Sequence, residues 1–223
     1  MSITVHHLET SRSFRILWLL EELGLEYDIR HWKRDPRTIR APREMTEVHP
    51  LGRAPIVEVD GHALAESGAI IEYFVEREGA LRPADAAALI DYRFFLHYAE
   101  GSVMPPLLVK LITTRMRTGV PFFLRPLTGA VASKIDATYT NREIKRHFAF
   151  IEQTLSSREF FAGEALSGAD VQMVYAVQAG LTRRRPLPER RRLARPDARA
   201  SCLRAGPRAQ RLRPALPLRA YGA

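Results

Sequence analysis

The sequence predicts an α/β domain followed by an all-helical domain, and three observations support that prediction. Short segments rich in β-branched residues alternate with helix-like segments only in the first third of the chain. The stretch Gly79–Pro83 then reads as a linker. Beyond it, apolar residues recur at helical spacing. A chain of 223 residues is long enough for one large or two small domains.

The first strand is predicted at Ile3–Leu8, which is short and rich in β-branched residues. A helix follows, for which Thr10, Ser11 or Ser13 can provide the N-cap and Gly24 the end. The positions of this helix that we expect to be buried are Ile16, Leu19, Leu20 and Leu23.

The next segments add strands to the same sheet. Tyr27–Trp32 predicts a second strand, and residues 34–47 predict a short helix between loops. Ile56–Val59 predicts a third strand, which the chain enters through a proline. Asp60-Gly61 is a hairpin signal, because glycine tolerates the positive φ that a primed turn requires. A fourth strand therefore follows this turn.

A helix ends this first domain. The apolar stripe after Ser67 has helical spacing, and Gly79 can end the helix. The order β-α-β-α-β-β-α is that of a thioredoxin-like domain, which we assign to residues 1–79. The only cysteine is Cys202, so a disulfide-exchange enzyme and a disulfide within the chain are excluded.

The second domain is assigned to residues 86–181 and is all helical. Residues 86–117 form one long helical pattern, which Met104–Pro106 should break or kink. A second long helix is predicted at residues 134–155. The segment Ser167–Asp170 has the spacing of a capping box, in which its first and last residues bond to each other, and a buried helix follows.

The C-terminal segment has a different composition. Residues 183–223 contain 13 Arg against one Glu and one Asp, which is a net charge of +11. Because the whole chain has a net charge of +9, residues 1–182 have a net charge of −2. This segment also has no Ile, Val or Phe. We expect the tail 182–223 to be disordered, or to be translated out of frame, which resequencing of the gene would decide. A nucleic-acid-binding role rests on charge alone, because no binding motif is present.

Two motifs carry a resemblance to a known family. The stretch Arg53–Ser67 consists of a proline, a strand, a tight turn, a second strand and Glu-Ser at a helix N-terminus. It resembles the glutathione-binding half of a glutathione transferase. Residues 6–15, in which Ser11 precedes Arg15 by four positions, resemble the serine-type branch of that family. The resemblance covers residues 1–181.

The resemblance implies glutathione as co-substrate and gives roles to several residues. Pro55 is cis in the family, and the backbone of Ala54 would pair with the cysteinyl group. Glu66 would bind the γ-glutamyl ammonium, while Ser67 and the helix N-terminus bind its carboxylate. Arg53 would reach the glycyl carboxylate. As alternatives, Ser67 is only a cap and Arg53 a solvated surface residue.

The thiol of glutathione reacts as the thiolate, so the site must stabilise that charge. Ser11, between the first strand and the first helix, matches the thiol-binding serine of the family. Ser13 and Thr10 remain alternatives, and Ser11 is also a candidate N-cap. Gly68 stands where the family often has Arg, so one carboxylate contact is expected to be missing.

The resemblance therefore implies a glutathione S-transferase that conjugates the thiolate to a small, mostly apolar electrophile between the two domains. It also implies detoxification, a homodimer and no metal. His6, His7 and His49 lack metal-ligand spacing and are interpreted as structural. The N-terminus has no signal pattern and no membrane-length apolar run, so we expect a cytoplasmic protein. The alternative is a non-enzymatic, transferase-like interaction module.

Overall fold

The computed structural model describes residues 1–181, and the tail predicted to be disordered or out of frame lies outside the described residues. The first domain has the predicted order of strands and helices. Its elements are β1 (Ile3–Leu8), α1 (Phe14–Glu22), β2 (Asp28–Trp32), α2 (Met45–Val48), β3 (Ile56–Val59), β4 (His62–Ala65) and α3 (Ser67–Glu78).

The four strands form one sheet with the order β2-β1-β3-β4. β2 is parallel to β1, whereas β1–β3 and β3–β4 are antiparallel. The predicted hairpin is confirmed, because Asp60 and Gly61 have φ of 48° and 85° at the turn between β3 and β4. Gly79 follows α3 with φ of 63°, as expected of a residue that ends a helix.

The second part of the described chain is all helical. It consists of α4 (Ala86–Tyr98), α5 (Met104–Thr118), α6 (Arg125–Ile135), α7 (Asn141–Ser157) and α8 (Gly168–Leu181). The break expected at the prolines comes earlier, as a π-helical turn at Ala99–Val103. Pro105 and Pro106 lie in the first turn of α5, directly after this π-helical turn, so their missing N–H groups coincide with the change in helical hydrogen bonding.

The helix predicted at residues 134–155 is helical throughout, but a π-helical turn interrupts it, and α6, which begins at Arg125, was not predicted. A π-helical turn, Asp136–Thr140, separates α6 from α7. Its buried Asp136 carboxylate accepts hydrogen bonds from Lys110, Thr113 and Arg117 at 2.8, 2.8 and 2.7 Å. These bonds hold the junction of α6 and α7 against α5, and such a long-range contact has no local sequence signal.

One hydrophobic core extends through both parts of the described chain. It includes Leu19 of α1, Phe74 of α3, Phe95 of α4 and Val174 of α8. The start of α8 lies very close to α3, since a Cβ on Gly168 would be 2.7 Å from Ile71. The predicted combination of a thioredoxin-like domain and a helical domain is confirmed.

The predicted capping box before α8 forms only in part. The Asp170 carboxylate accepts from the Ser167 N–H at 2.9 Å, from the Ser167 hydroxyl at 2.7 Å and from the Phe161 N–H at 2.8 Å. In a capping box the Ser167 hydroxyl would accept from the Asp170 N–H, but this N–H donates to the Ser167 carbonyl at 3.0 Å instead. Burial raises the pKa of Asp170 to about 6, although these hydrogen bonds lower it.

Within residues 1–181, no helix is long and apolar enough to cross a bilayer. The same residues contain no group of three side chains placed to hold a metal ion.

Candidate functional site

The register of the sheet brings the predicted site segments to one end. β3 pairs Ile56 with His6 of β1 and with Ala65 of β4. The loop after β1, the proline before β3 and the start of α3 therefore open at the same end of the sheet. These are the three segments in which the sequence places the binding residues.

The Ala54–Pro55 peptide bond is cis, as expected. Both residues are buried, and Met45 of α2 and Ile56 of β3 belong to the same small apolar cluster as Ala54. Arg53, directly before them, is exposed. The polypeptide is therefore anchored in the domain at Ala54–Pro55 and reaches the surface at Arg53.

The junction of β4 and α3 has an unusual backbone. Glu66 has φ of 69° and ψ of 118°, a conformation that costs a non-glycine residue about 1–3 kcal/mol. It is exposed, and its side chain does not cap the helix. The first N–H groups of this 12-residue helix thus have no side-chain cap. A helix N-terminus in this state favours an anion.

Ser67 is not the cap that the alternative interpretation required. It is the first residue of α3, it is buried, and its hydroxyl oxygen accepts a hydrogen bond of 3.1 Å from Arg15 Nη1. Because Arg15 occupies one lone pair of the oxygen, the hydroxyl hydrogen remains available to an acceptor.

The Arg15 side chain is completely buried in α1. Its Nη1 also donates to Glu100 Oε1 at 2.6 Å, and its guanidinium lies 5.3 Å from the centre of the Tyr175 ring. Burial lowers the pKa of Arg15, while Glu100 raises it in part. Arg15 Nε and Nη2 have no hydrogen-bond partner among the described residues.

Glu100 connects the two domains at this point. It lies in the π-helical turn between α4 and α5 and pairs with both Arg12 and Arg15. The pair with Arg12 is partly exposed, whereas the Arg15 side chain is fully covered. One carboxylate of the helical domain therefore holds the start of α1.

The three candidate hydroxyls have different surroundings. Ser13 is fully buried, while Thr10 and Ser11 are half-buried. Ser11 Oγ lies 2.7 Å from Ser13 Oγ, and Ser13 Oγ lies 2.9 Å from His7 Nδ1. Burial, and then the neighbouring His31, lower the pKa of His7 to about 4.

Arg34 fixes the loop that carries these hydroxyls. Its guanidinium donates to the backbone carbonyls of Glu9, Thr10 and Ile39 at 2.9, 3.1 and 3.0 Å. Thr10 itself has a positive φ of 54°. Arg34, which lies in the connection between β2 and α2, thus holds the loop before α1 in place.

Sequence reasoning gave no role to Arg34 or Glu100, and it used Arg15 only as a motif landmark. For Arg15 a signal was present, since it is a lone charge within the apolar run that continues to Leu20. For Glu100 there was none, because its partner Arg15 lies 85 positions away in the sequence.

Comparisons with known proteins agree on one family. The model of the glutathione S-transferase N-terminal domain matches residues 1–76, and that of the C-terminal domain matches residues 111–196. Glutathione S-transferase 1 of Saccharomyces cerevisiae is 38% identical over 198 residues, which cover 84% of each chain. A crystal structure of a glutathione S-transferase from Actinobacillus pleuropneumoniae has a TM-score of 0.75 at 29% identity and covers 93% of each chain.

A different kind of protein matches over a shorter region. Elongation factor 1-gamma of Danio rerio is 29% identical over 127 residues, which are 56% of this chain and 25% of that protein.

The pairing between the domains makes a prediction for stability. Glu100→Gln should lower the free energy of unfolding by about 2 kcal/mol, because the fully buried Arg15 then has no countercharge. Arg12→Gln is the matched control, since it breaks only the partly exposed pair and should cost less than about 1 kcal/mol. Urea unfolding followed by circular dichroism measures the free energy of unfolding of both variants. Equal losses in the two variants would contradict the larger contribution that we assign to the buried Arg15–Glu100 pair.

Proposed function

The chain belongs to the glutathione S-transferase family and is a glutathione S-transferase, and we propose that its reaction takes place at the end of the sheet where Ser11, cis-Pro55 and Glu66 converge. This convergence is the observation that supports the proposal most strongly. Glutathione is the co-substrate of the family. Its three parts then meet the three segments: the thiol near Ser11, the cysteinyl backbone near Ala54 and the γ-glutamyl end near Glu66.

In the proposed mechanism, Ser11 donates its hydroxyl hydrogen bond to the thiolate of glutathione. A hydrogen bond to the charged form lowers the pKa of the thiol from its free value of about 8.5. The thiol releases its proton to the solvent. The thiolate sulfur then forms a bond to an electrophilic carbon, and the leaving group departs with its electron pair. Neither step needs a metal ion.

The γ-glutamyl end carries an ammonium and a carboxylate. We assign the ammonium to the exposed Glu66 and the carboxylate to the uncapped start of α3 and the Ser67 hydroxyl. Gly68 provides no cation at the position where the family often has Arg. Arg15 of α1 supplies a positive charge next to this helix start instead, since it donates to the Ser67 hydroxyl oxygen. Arg15 therefore takes the place of the missing cation.

Arg53, exposed beside Ala54, is assigned to the glycyl carboxylate.

The electrophile is assigned to the space between the sheet end and the helical domain, and its chemical class is small and mostly apolar. We place the enzyme in the cytoplasm, where such conjugation serves detoxification. The alternative of a non-enzymatic module is not favoured, because elongation factor 1-gamma matches over only 25% of its length.

Replacement of Ser11 tests the assignment of the thiol partner. Ser11→Ala should raise the pKa of the enzyme-bound thiol by about 1–2 units and lower kcat/KM near neutral pH about 10–100-fold. The ultraviolet absorbance of the thiolate across a pH titration measures the first effect, and conjugation to an activated aryl chloride measures the second. Thr10→Ala is the control and should change neither; the reverse pattern would assign the thiol to Thr10.

The role of Glu66 predicts a dependence on the thiol substrate. Glu66→Gln should raise KM for glutathione about 10-fold, because the ammonium loses a charged acceptor. KM for cysteinylglycine, which lacks the γ-glutamyl group, should stay the same. Glu76→Gln removes the same charge near the other end of α3 and serves as the control. An equal rise in KM for both thiols would contradict this subsite.

We also propose that two copies associate through the apolar side chains that α4 exposes one turn apart, Ile90 and Phe94. Sedimentation equilibrium should give twice the mass of the chain, and Ile90→Lys should shift the distribution towards the monomer. Phe122→Ser, at an exposed aromatic residue between α5 and α6, is the control. A monomeric wild-type protein would contradict the proposal.

A further inference from the structure

A chain of hydrogen bonds extends from Ser11 into the interior of the protein. Ser11 Oγ is 2.7 Å from Ser13 Oγ, which is 2.9 Å from Nδ1 of His7. The backbone N–H of Ser13 also donates to Ser11 Oγ at 3.2 Å. Ser13 is 0% and His7 2% exposed, so both lie behind Ser11 and neither is placed to touch a ligand itself.

The two neighbouring histidines of β1 differ in how their nitrogens are used. His6 has a partner at each nitrogen: the Trp32 indole N–H donates to Nδ1 at 3.0 Å, and Nε2 is 2.7 Å from a Glu58 carboxylate oxygen. His6 is therefore a satisfied structural residue, as expected. His7 has only Ser13 at Nδ1, and its buried Nε2 has no hydrogen-bond partner among the described residues.

The direction of the hydrogen bonds decides what Ser11 can donate. If Ser11 donates to Ser13, and Ser13 to His7, the hydroxyl hydrogen of Ser11 is used internally. The proton of His7 then lies on Nε2, and this buried N–H has no acceptor among the described residues. A buried N–H without a partner is rarer in proteins than a buried acceptor without one.

The opposite direction leaves the hydroxyl hydrogen of Ser11 available. His7 Nδ1–H donates to Ser13, and the Ser13 hydroxyl donates to Ser11. Ser11 Oγ then accepts from both the hydroxyl and the backbone N–H of Ser13, so both of its lone pairs are occupied. Its hydrogen can point only away from Ser13.

We propose that His7 and Ser13 are positioning residues, which act through Ser11 by holding its hydroxyl hydrogen in the direction of the glutathione sulfur. This inference rests on the proposed function of Ser11. No proton or electron is transferred along this chain. Each of its three hydrogen bonds only keeps a fixed donor and a fixed acceptor. A donor chain of this kind also polarises its terminal hydroxyl and strengthens its bond to an anion.

The charge state of His7 fits this role. Burial and the neighbouring His31 keep the pKa of the ring at about 4, so the ring is neutral at neutral pH. A neutral imidazole has one N–H, and the direction of the chain requires that N–H at Nδ1.

The test compares Ser13→Ala with Ser11→Ala and with the double variant in glutathione-loaded enzyme. Ser13→Ala should raise the pKa of the bound thiol by about one unit and lower kcat near neutral pH about 10-fold, with KM for glutathione unchanged. In the Ser11→Ala background, the same change should have no further effect, because Ser13 acts only through Ser11. Ultraviolet titration of the thiolate gives the pKa values.

Two substitutions of His7 separate hydrogen bonding from packing. His7→Asn retains an amide N–H near the position of Nδ1 and should keep the thiol pKa close to that of the wild type. His7→Leu removes the donor and should reproduce the effect of Ser13→Ala. Thr154→Ala removes another buried hydroxyl, which donates to Phe150 in α7, and should leave the thiol pKa unchanged.

The outcomes distinguish this inference from the proposed function. If Ser11→Ala leaves the thiol pKa unchanged, the assignment of Ser11 itself is wrong. If Ser11→Ala raises it but Ser13→Ala does not, or if the two effects add in the double variant, the positioning role is overturned. Should His7→Leu fail to fold, Ser13→Ala and the double variant still decide the matter, since alanine fits the space of the buried serine.

Discussion

The buried guanidinium of Arg15 is the constraint on which the rest of the site depends. A cation inside an apolar helix is unfavourable unless a carboxylate lies beside it, and Glu100 of the helical domain provides that carboxylate. The same Nη1 donates to Ser67 at the start of α3. Because both bonds come from one planar group, the positions of α1, α3 and the turn between α4 and α5 are linked. The two domains and the uncapped start of α3 are thus fixed together.

The sheet places three segments at one end, and two of them carry a backbone that other residues must hold. Thr10 and Glu66 both have positive φ without being glycine. Such conformations persist only where the surroundings determine them, and they concentrate at functional sites. Arg34 holds the backbone at Thr10, and the bond between Arg15 and Ser67 secures the residue after Glu66. Both residues lie at the end of the sheet where the proposed site is located.

Local patterns predicted most of the first domain. The strand Ile3–Leu8, the turn at Asp60-Gly61 and the helix end at Gly79 each follow from residues that are neighbours in the chain. Local patterns failed where distant residues decide the geometry: the π-helical turn before α7 depends on a carboxylate that accepts from three side chains of α5. The candidate binding residues were predicted through a family motif, whereas Arg15 with Glu100, and His7 behind Ser13, became visible only in three dimensions.

The proposed site binds glutathione as a thiolate, so binding must release the thiol proton. The number of protons released when glutathione binds near neutral pH can be measured by calorimetry in buffers of different ionisation enthalpy. We expect release of close to one proton per bound glutathione and no release with S-methylglutathione, which has no ionisable thiol. Binding of glutathione without proton release would rule out thiolate binding, because the thiol would then remain protonated beside Ser11.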